Sequence, residues 1–289
     1  MRDPLASAPD WSPDGPPRRY DRRSLSYATT FASPWTRGTI RGIEWATGKV
    51  TILRRIREFE RRGAPRGQAF WREALDVMGI EVRTPPDQVA RIPRTGPVVL
   101  VANHPHGLVD GMVLAELVGR ARPDYRILAR SLLTGIDEAA AQHMIAVPFP
   151  HEAEAQRKMI AMRARAMAHL AEGGLLALFP AGVVARASRP WGPAVEAEWN
   201  VFTAKLIRVS GAVVLPVFFP GANSRAYQAA ACVSATLRQG LLLHEVVHAM
   251  DRPQAPVVGE VIPREEMEDR WGEPRAFMGW LRGRVLGLG

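Results

Sequence analysis

The run Val98-Val99-Leu100-Val101-Ala102 passes without a break into Asn103-His104-Pro105-His106-Gly107-Leu108-Val109-Asp110. This junction limits what the chain can become more than any other stretch. A short, continuous apolar run rich in valine fits a strand buried on both faces, as in a parallel sheet. In open α/β sheets ligands bind beyond the carboxyl ends of the strands, so the polar cluster is expected at such a rim. Gly107 permits a tight turn into the helix expected from Leu108. An imidazole with an ordinary pKa of about 6.5 is the natural general base at neutral pH. A carboxylate on its second nitrogen fixes the tautomer and stabilises the imidazolium. His104, His106 and Asp110 are therefore the first candidate site. No serine nucleophile accompanies them, which directs the reading towards activation of a substrate hydroxyl, with the backbone N–H groups of the helix start available for a phosphate or an oxyanion.

At 289 residues and 47% apolar composition the chain can bury a sizeable core, so disorder of the whole is excluded. From Ile80 onward strand and helix patterns alternate, which implies an α/β fold with a largely parallel central sheet flanked by helices. Strands are expected at Ile80–Arg83, Val98–Ala102, Tyr125–Ala129, Ile145–Val147, Leu175–Phe179, Ala212–Phe219 and Ala255–Ile262. Helices are expected at Leu108–Val118, Glu152–Glu172, Glu198–Val209, Ala235–Ala249 and Arg275–Leu286. The chain divides into a disordered Pro/Arg-rich arm over 1–35, an N-terminal helical segment over 36–79 and the α/β domain over 80–289.

The net charge of +9 is unevenly placed: residues 1–72 hold 15 Lys/Arg against 7 Asp/Glu. Within this region Ile40, Ile43, Ala46, Val50, Leu53, Ile56 and Phe59 recur at helical spacing from Gly38 to Arg62, with Arg41, Arg54, Arg55, Arg61 and Arg62 on other faces. Such a basic amphipathic helix either lies on an anionic membrane surface or packs on the domain with solvated arginines. A second short helix carries Phe70, Trp71, Ala74, Leu75 and Met78, read as core. No apolar run reaches the roughly 18 residues of a membrane span, and the start does not read as a signal peptide. The single cysteine, Cys232, is expected as core filler in a reducing compartment.

Two further clusters compete with the first. His244-Glu245-Val246-Val247-His248 has the spacing of a zinc metallopeptidase helix, with Glu266 as a conceivable third ligand. Its alternative is an ordinary amphipathic helix. The other cluster is Phe179-Pro180-Ala181-Gly182 with Arg186 and Arg189, joined by Leu215-Pro216-Val217 and Pro220-Gly221-Ala222-Asn223-Ser224-Arg225. If these turns open on the same rim as His104, they outline a cleft suited to a ligand that is part apolar and part anionic.

Taken in order, Asn103-His104 with Asp110, Phe179-Pro180-x-Gly182 and Leu215-Pro216-Val217 resemble the PlsC-type glycerolphosphate and lysophospholipid acyltransferases. Asn-His-Pro-x-Gly-x-x-Asp-Gly, Phe-Pro-Ala-Gly and Pro-Gly-x-Asn-Ser are more narrowly similar to the haemolysin-like subgroup, related to ornithine-lipid acyltransferases. The resemblance implies that His104, polarised by Asp110, deprotonates a lyso-lipid hydroxyl, which attacks the thioester of acyl carrier protein or acyl-CoA. It implies no acyl-enzyme, no metal and no cofactor beyond the thioester. Asn103, His106, Gly107, Phe179, Pro180, Ala181, Gly182, Arg186, Pro216 and Asn223 are the substrate-binding positions it designates. The expected partners are a lyso-lipid, the thioester carrier and an anionic membrane surface, not nucleic acid, and the expected place is the cytoplasmic face of the cell membrane. Departures are Ala181 for the usual Glu, Val183-Val184 for Thr-Arg, five residues rather than four between His104 and Asp110, and Pro148-Phe149-Pro150-His151 where an arginine is usual. The rivals are the metallopeptidase and a non-catalytic basic lipid-binding module.

Overall fold

The computed structural model describes residues 25–31, 33–130, 141–148 and 154–289. The N-terminal segment forms α1 (Pro34–Glu44), a π-helical turn (Trp45–Lys49) and α2 (Val50–Arg61), followed by α3 (Gln68–Val77) and the short α4 (Pro86–Val89). Then β1 (Val98–Ala102), α5 (Leu108–Gly119), β2 (Tyr125–Arg130), β3 (Met144–Val147), α6 (Ala155–Ala171) and β4 (Leu175–Leu178) alternate. A small hairpin, β5 (Arg186–Ala187) and β6 (Ala194–Val195), precedes α7 (Val201–Ser210) and β7 (Val213–Phe218). The chain closes with α8 (Arg225–Val233), α9 (Ala235–Gly240), α10 (Leu242–Ala249), β8 (Val257–Val258), α11 (Arg264–Glu268) and α12 (Pro274–Leu286).

The sheet order is β3-β2-β4-β1-β7-β8, parallel except for β8, which pairs antiparallel with β7. Because β1 lies between β4 and β7, Leu100 is flanked by Ala177 and Leu215. Side chains alternate across the sheet. Val98, Leu100 and Ala102 therefore join one core with α5 and the N-terminal helices, while Val99 and Val101 join another with α6, α7 and α12. Burial on both faces explains why β1 reads as an unbroken apolar run.

Several expected boundaries shift. Ile80–Arg83 makes only a bridge at Val82, to Gln254, before Pro85 and Pro86 stop pairing. Ala255–Ile262 shrinks to β8 and a bridge at Ile262, being interrupted by Pro256 and Gly259. The helix expected from Glu198 begins at Val201, where the Asn200 side chain accepts the Phe202 N–H. Ala235–Ala249 breaks into α9 and α10 at Leu241, and α8 is an additional helix capped by Ser224. Part of the expected N-terminal arm is structured: Leu25 and Ala28 are buried, and the Ser26 hydroxyl and Tyr27 N–H donate to the buried Glu44 carboxylate at 2.7 Å. Residues 1–24 lie outside the described residues. Cys232 is exposed rather than in the core.

The N-terminal helices pack on the domain, but not by the stripe of a uniform helix. One extra residue per turn in the π segment rotates the faces of the helix beyond it. Ala46 and Val50 turn outward, whereas Gly48, Lys49 and Ile52 turn inward. Phe70 meets Phe59 and Trp71 edge-on, and Trp71, Leu75 and Met78 are buried, as expected for core. Trp35 and Trp45 remain 87% and 54% exposed. Among the described residues no helix is long and apolar enough to cross a membrane.

Candidate active site

Since β4, β1 and β7 are neighbours and parallel, the loops at their carboxyl ends, 103–107, 179–185 and 219–224, meet at one rim. Asn103 ties two of them together: its side chain donates to the Phe219 carbonyl at 2.8 Å and accepts the Phe219 N–H at 2.7 Å. The third is fastened by the Ala185 N–H, which donates to the His104 carbonyl at 2.8 Å.

Asp110 stands at the third position of α5 and is fully buried. Its Oδ2 accepts Nδ1–H of His104 at 2.9 Å and the backbone N–H groups of His106 and Gly107 at 2.8 and 3.0 Å. Its Oδ1 accepts Nδ1–H of His106 at 3.0 Å. Burial pushes this carboxyl up, but the bonds and charges of the two histidines outweigh it and hold the pKa below the usual carboxylate range. An ionised carboxylate only accepts, so both histidines present Nδ1–H to it and leave Nε2 as the basic nitrogen. Two of the N–H groups expected to serve a phosphate or oxyanion are thus already engaged by Asp110.

The His104 ring stacks on Phe179 at 4.1 Å between centroids. Gly107 starts α5 with φ of 76°, and a Cβ there would sit 3.3 Å from Val184. His106 is held differently. Burial opposes its charged form, but Asp110, by hydrogen bond and charge, and the more distant Glu245 raise its pKa above 6.5. Its Nε2 lies beside Gly221, where a Cβ would come within 3.1 Å.

Sequence reasoning missed Glu196. This buried carboxylate accepts the His104 backbone N–H at 3.2 Å and the Trp199 indole N–H at 3.1 Å, and burial raises its pKa. Arg282 of α12 donates to the Glu196 carbonyl at 2.6 Å. The signal available was an acid three residues before a tryptophan, which no motif singles out.

The remaining designated positions divide by location. Pro180 is buried, and its carbonyl accepts the Asn200 N–H. Ala181 packs against the α6–α7–α12 core, and Gly182 sits exposed at φ of 65°. Arg186 is exposed on β5. Pro216 is buried within β7 opposite Val101, so it shapes the sheet below the rim. Asn223 is buried, and its Nδ2 has no hydrogen-bond partner among the described residues. Phe149, Pro150 and His151 lie outside the described residues.

The His244–His248 cluster is built for packing. Both carboxylate oxygens of buried Glu245 are occupied by Ser224, through its N–H at 2.7 Å and its hydroxyl at 2.6 Å. Nε2 of His248 faces the Arg252 guanidinium at 3.1 Å, and Glu266 pairs with Arg284. A base or metal ligand needs those lone pairs, and this donor set has committed its central carboxylate elsewhere.

The sequence pattern that defines the acyltransferase family matches residues 24–251. The chain belongs to that family. Its fold is similar to the crystal structure of the 1-acyl-sn-glycerophosphate (LPA) acyltransferase, PlsC, from Thermotoga maritima, with a TM-score of 0.50 over 76% of this chain and 77% of that one. Sequence identity to it is 13%, so the likeness concerns the fold. No curated protein matches the chain. In this acyltransferase His104 and Asp110 stand at the carboxyl end of β1.

Proposed function

We propose that this acyltransferase moves a fatty acyl group from acyl carrier protein or CoA to a hydroxyl of a lyso-lipid, working as a peripheral protein at the cytoplasmic face of the cell membrane. The observation that carries the reading is the buried, ionised Asp110 holding Nδ1–H of His104. Nε2 of His104 takes the proton of the lyso-lipid hydroxyl as its oxygen forms a bond to the thioester carbonyl carbon. The tetrahedral intermediate collapses, the C–S bond breaks, and the thiolate takes the proton from the imidazolium. Asp110 keeps the ring oriented and stabilises its transient charge. No acyl-enzyme, metal or cofactor enters this route.

Asn103 and Gly107 act by shaping the turn, and His106 by sharing Asp110. Phe179, Pro180, Ala181, Gly182, Arg186 and Asn223 line the approach for the lyso-lipid and the acyl chain. With Ala181 in place of the usual acid and Arg186 the nearest following cation, the chain falls with the haemolysin-like subgroup, and its acceptor differs from a simple lysophosphatidic acid. The exposed Trp35, Trp45, Arg41 and Arg54 on α1, the π turn and α2 support docking on an anionic bilayer.

The test is acyl transfer from acyl carrier protein and CoA thioesters to a panel of lyso-lipids. His104→Ala is expected to lower the rate by about 10²–10⁴-fold, the contribution of a positioned general base. Asp110→Asn should fall in the same range. Unchanged transfer by both variants would remove His104 and Asp110 from the mechanism, and no transfer by the parent chain to any acceptor would leave it as a non-catalytic lipid-binding module. Chelator-sensitive peptide hydrolysis that is lost in Glu245→Ala and kept in His104→Ala would point to the metallopeptidase instead.

A further inference from the structure

After β4 the chain does not run straight to α7. It projects as the β5–β6 hairpin, in which Arg186 pairs with Val195 and Ala187 with Ala194. At its tip Trp191 is 80% exposed, and Val183 and Val195 beside the stems are 48% and 51% exposed. Between Gly182 and Val195 there is no acidic residue, while Arg186 and Arg189 are exposed and make no ion pair among the described residues. An indole held in water beside unpaired cations matches the layered chemistry of an anionic bilayer, where tryptophan favours the headgroup level and arginine the phosphates.

The hairpin is wired to the candidate base at both ends. Ala185, just before β5, donates to the His104 carbonyl at 2.8 Å, and Glu196, just after β6, accepts the His104 N–H at 3.2 Å. Sideways, the Ala187 N–H donates to Gln228 of α8 at 2.7 Å. From there α8 packs on α9 and α9 on α1. Along that series Val233, Leu237 and Trp35 are 75%, 38% and 87% exposed.

We propose that the Arg186–Val195 hairpin is a second lipid-docking element, inserting Trp191 into the headgroup layer of an anionic bilayer while Arg186 and Arg189 pair with lipid phosphates. It rests on the lipid-surface reading of the N-terminal helices and extends it: docking at the hairpin sets His104 at the membrane surface that presents the lyso-lipid, whereas the N-terminal helices alone would only tether the protein.

The test is sedimentation of the full chain with phosphatidylglycerol/phosphatidylcholine vesicles and with phosphatidylcholine alone, with unfolding midpoints recorded alongside. Trp191→Ala is expected to weaken binding to the anionic vesicles while the midpoint stays put, since Trp191 is mostly exposed. Trp191→Phe should recover most of the affinity. Arg189→Ala should cost about fivefold, the usual effect of one basic residue near such a surface. Brominated acyl chains should quench less fluorescence in Trp191→Ala than in the parent. If Trp191→Ala binds like the parent while Trp35→Ala with Trp45→Ala does not bind, the hairpin proposal fails and the lipid-surface reading stands. If the parent chain binds neither vesicle, both fail.

Discussion

At the scale of single residues the chemistry turns on one carboxylate serving four donors. Asp110 orients His104, and it also holds the His106 ring and the two backbone N–H groups of His106 and Gly107 that lead into α5. His106 supplies a stability test independent of turnover. Its pKa is raised in the folded state, so the fold binds more protons than the unfolded chain above pH 6.5. Stability from this residue is then full below about pH 6.5 and is lost as pH rises through the folded value. His106→Asn is expected to flatten the decline in stability above pH 6.5, measured by urea unfolding at stepped pH. Asp110 works the other way: its folded pKa is depressed, so its contribution is lost only as pH falls below the ordinary carboxylate range. The sequence showed both histidines and the aspartate, because a strand end beside a glycine turn is a local pattern. It did not show that His106 shares the carboxylate, since that depends on where the turn aims two rings.

At the scale of elements, periodicity found the N-terminal helix but misplaced two of the seven positions on its buried face, Ala46 and Val50. The π turn puts Gly48 against α10, where a Cβ would lie 2.8 Å from the Leu243 carbonyl oxygen. Gly48→Val should therefore destabilise the fold by about 1–3 kcal/mol, as overpacking does, readable in the urea midpoint. A similar exchange of meaning occurs at Glu245. Its spacing to His244 and His248 reads as a metal motif, yet its carboxylate caps the loop into α8 through Ser224. A spacing places side chains on one face of a helix, but the neighbouring element decides what occupies their lone pairs.

At the scale of the whole molecule, charge asymmetry and packing meet. Some of the N-terminal arginines are neutralised: Arg55 pairs with Asp251, while Arg61 and Arg62 pair with Glu58, and Arg62 also with Glu73 and Asp76. Arg41 and Arg54 stay exposed. Vesicle binding is expected to need anionic lipid and to weaken between low salt and several hundred millimolar, because exposed charges are screened over about 10 Å at 0.1 M. Equal binding to neutral vesicles at high salt would contradict this. Point substitutions at Arg41 and Arg54 are the appropriate probes, since Leu25, Ile40 and Ile52 are buried and truncation of the segment would open the core.

The sequence by itself determined the α/β class, the doubly buried β1, the expectation of chemistry at its carboxyl end and the resemblance to acyltransferases. The first three rest on local composition and on spacing along the chain, and the resemblance rests on motifs matched in order. Tertiary structure alone decided that β1 lies between β4 and β7, which gathers three loops distant in sequence at one rim. It decided that buried Glu196 reaches His104 across 92 positions, and that both oxygens of Glu245 accept hydrogen bonds from Ser224. The physical reason is common to all three: a hydrogen bond or a strand neighbour is set by position in space, and the chain's local pattern carries no record of which distant group will fill it.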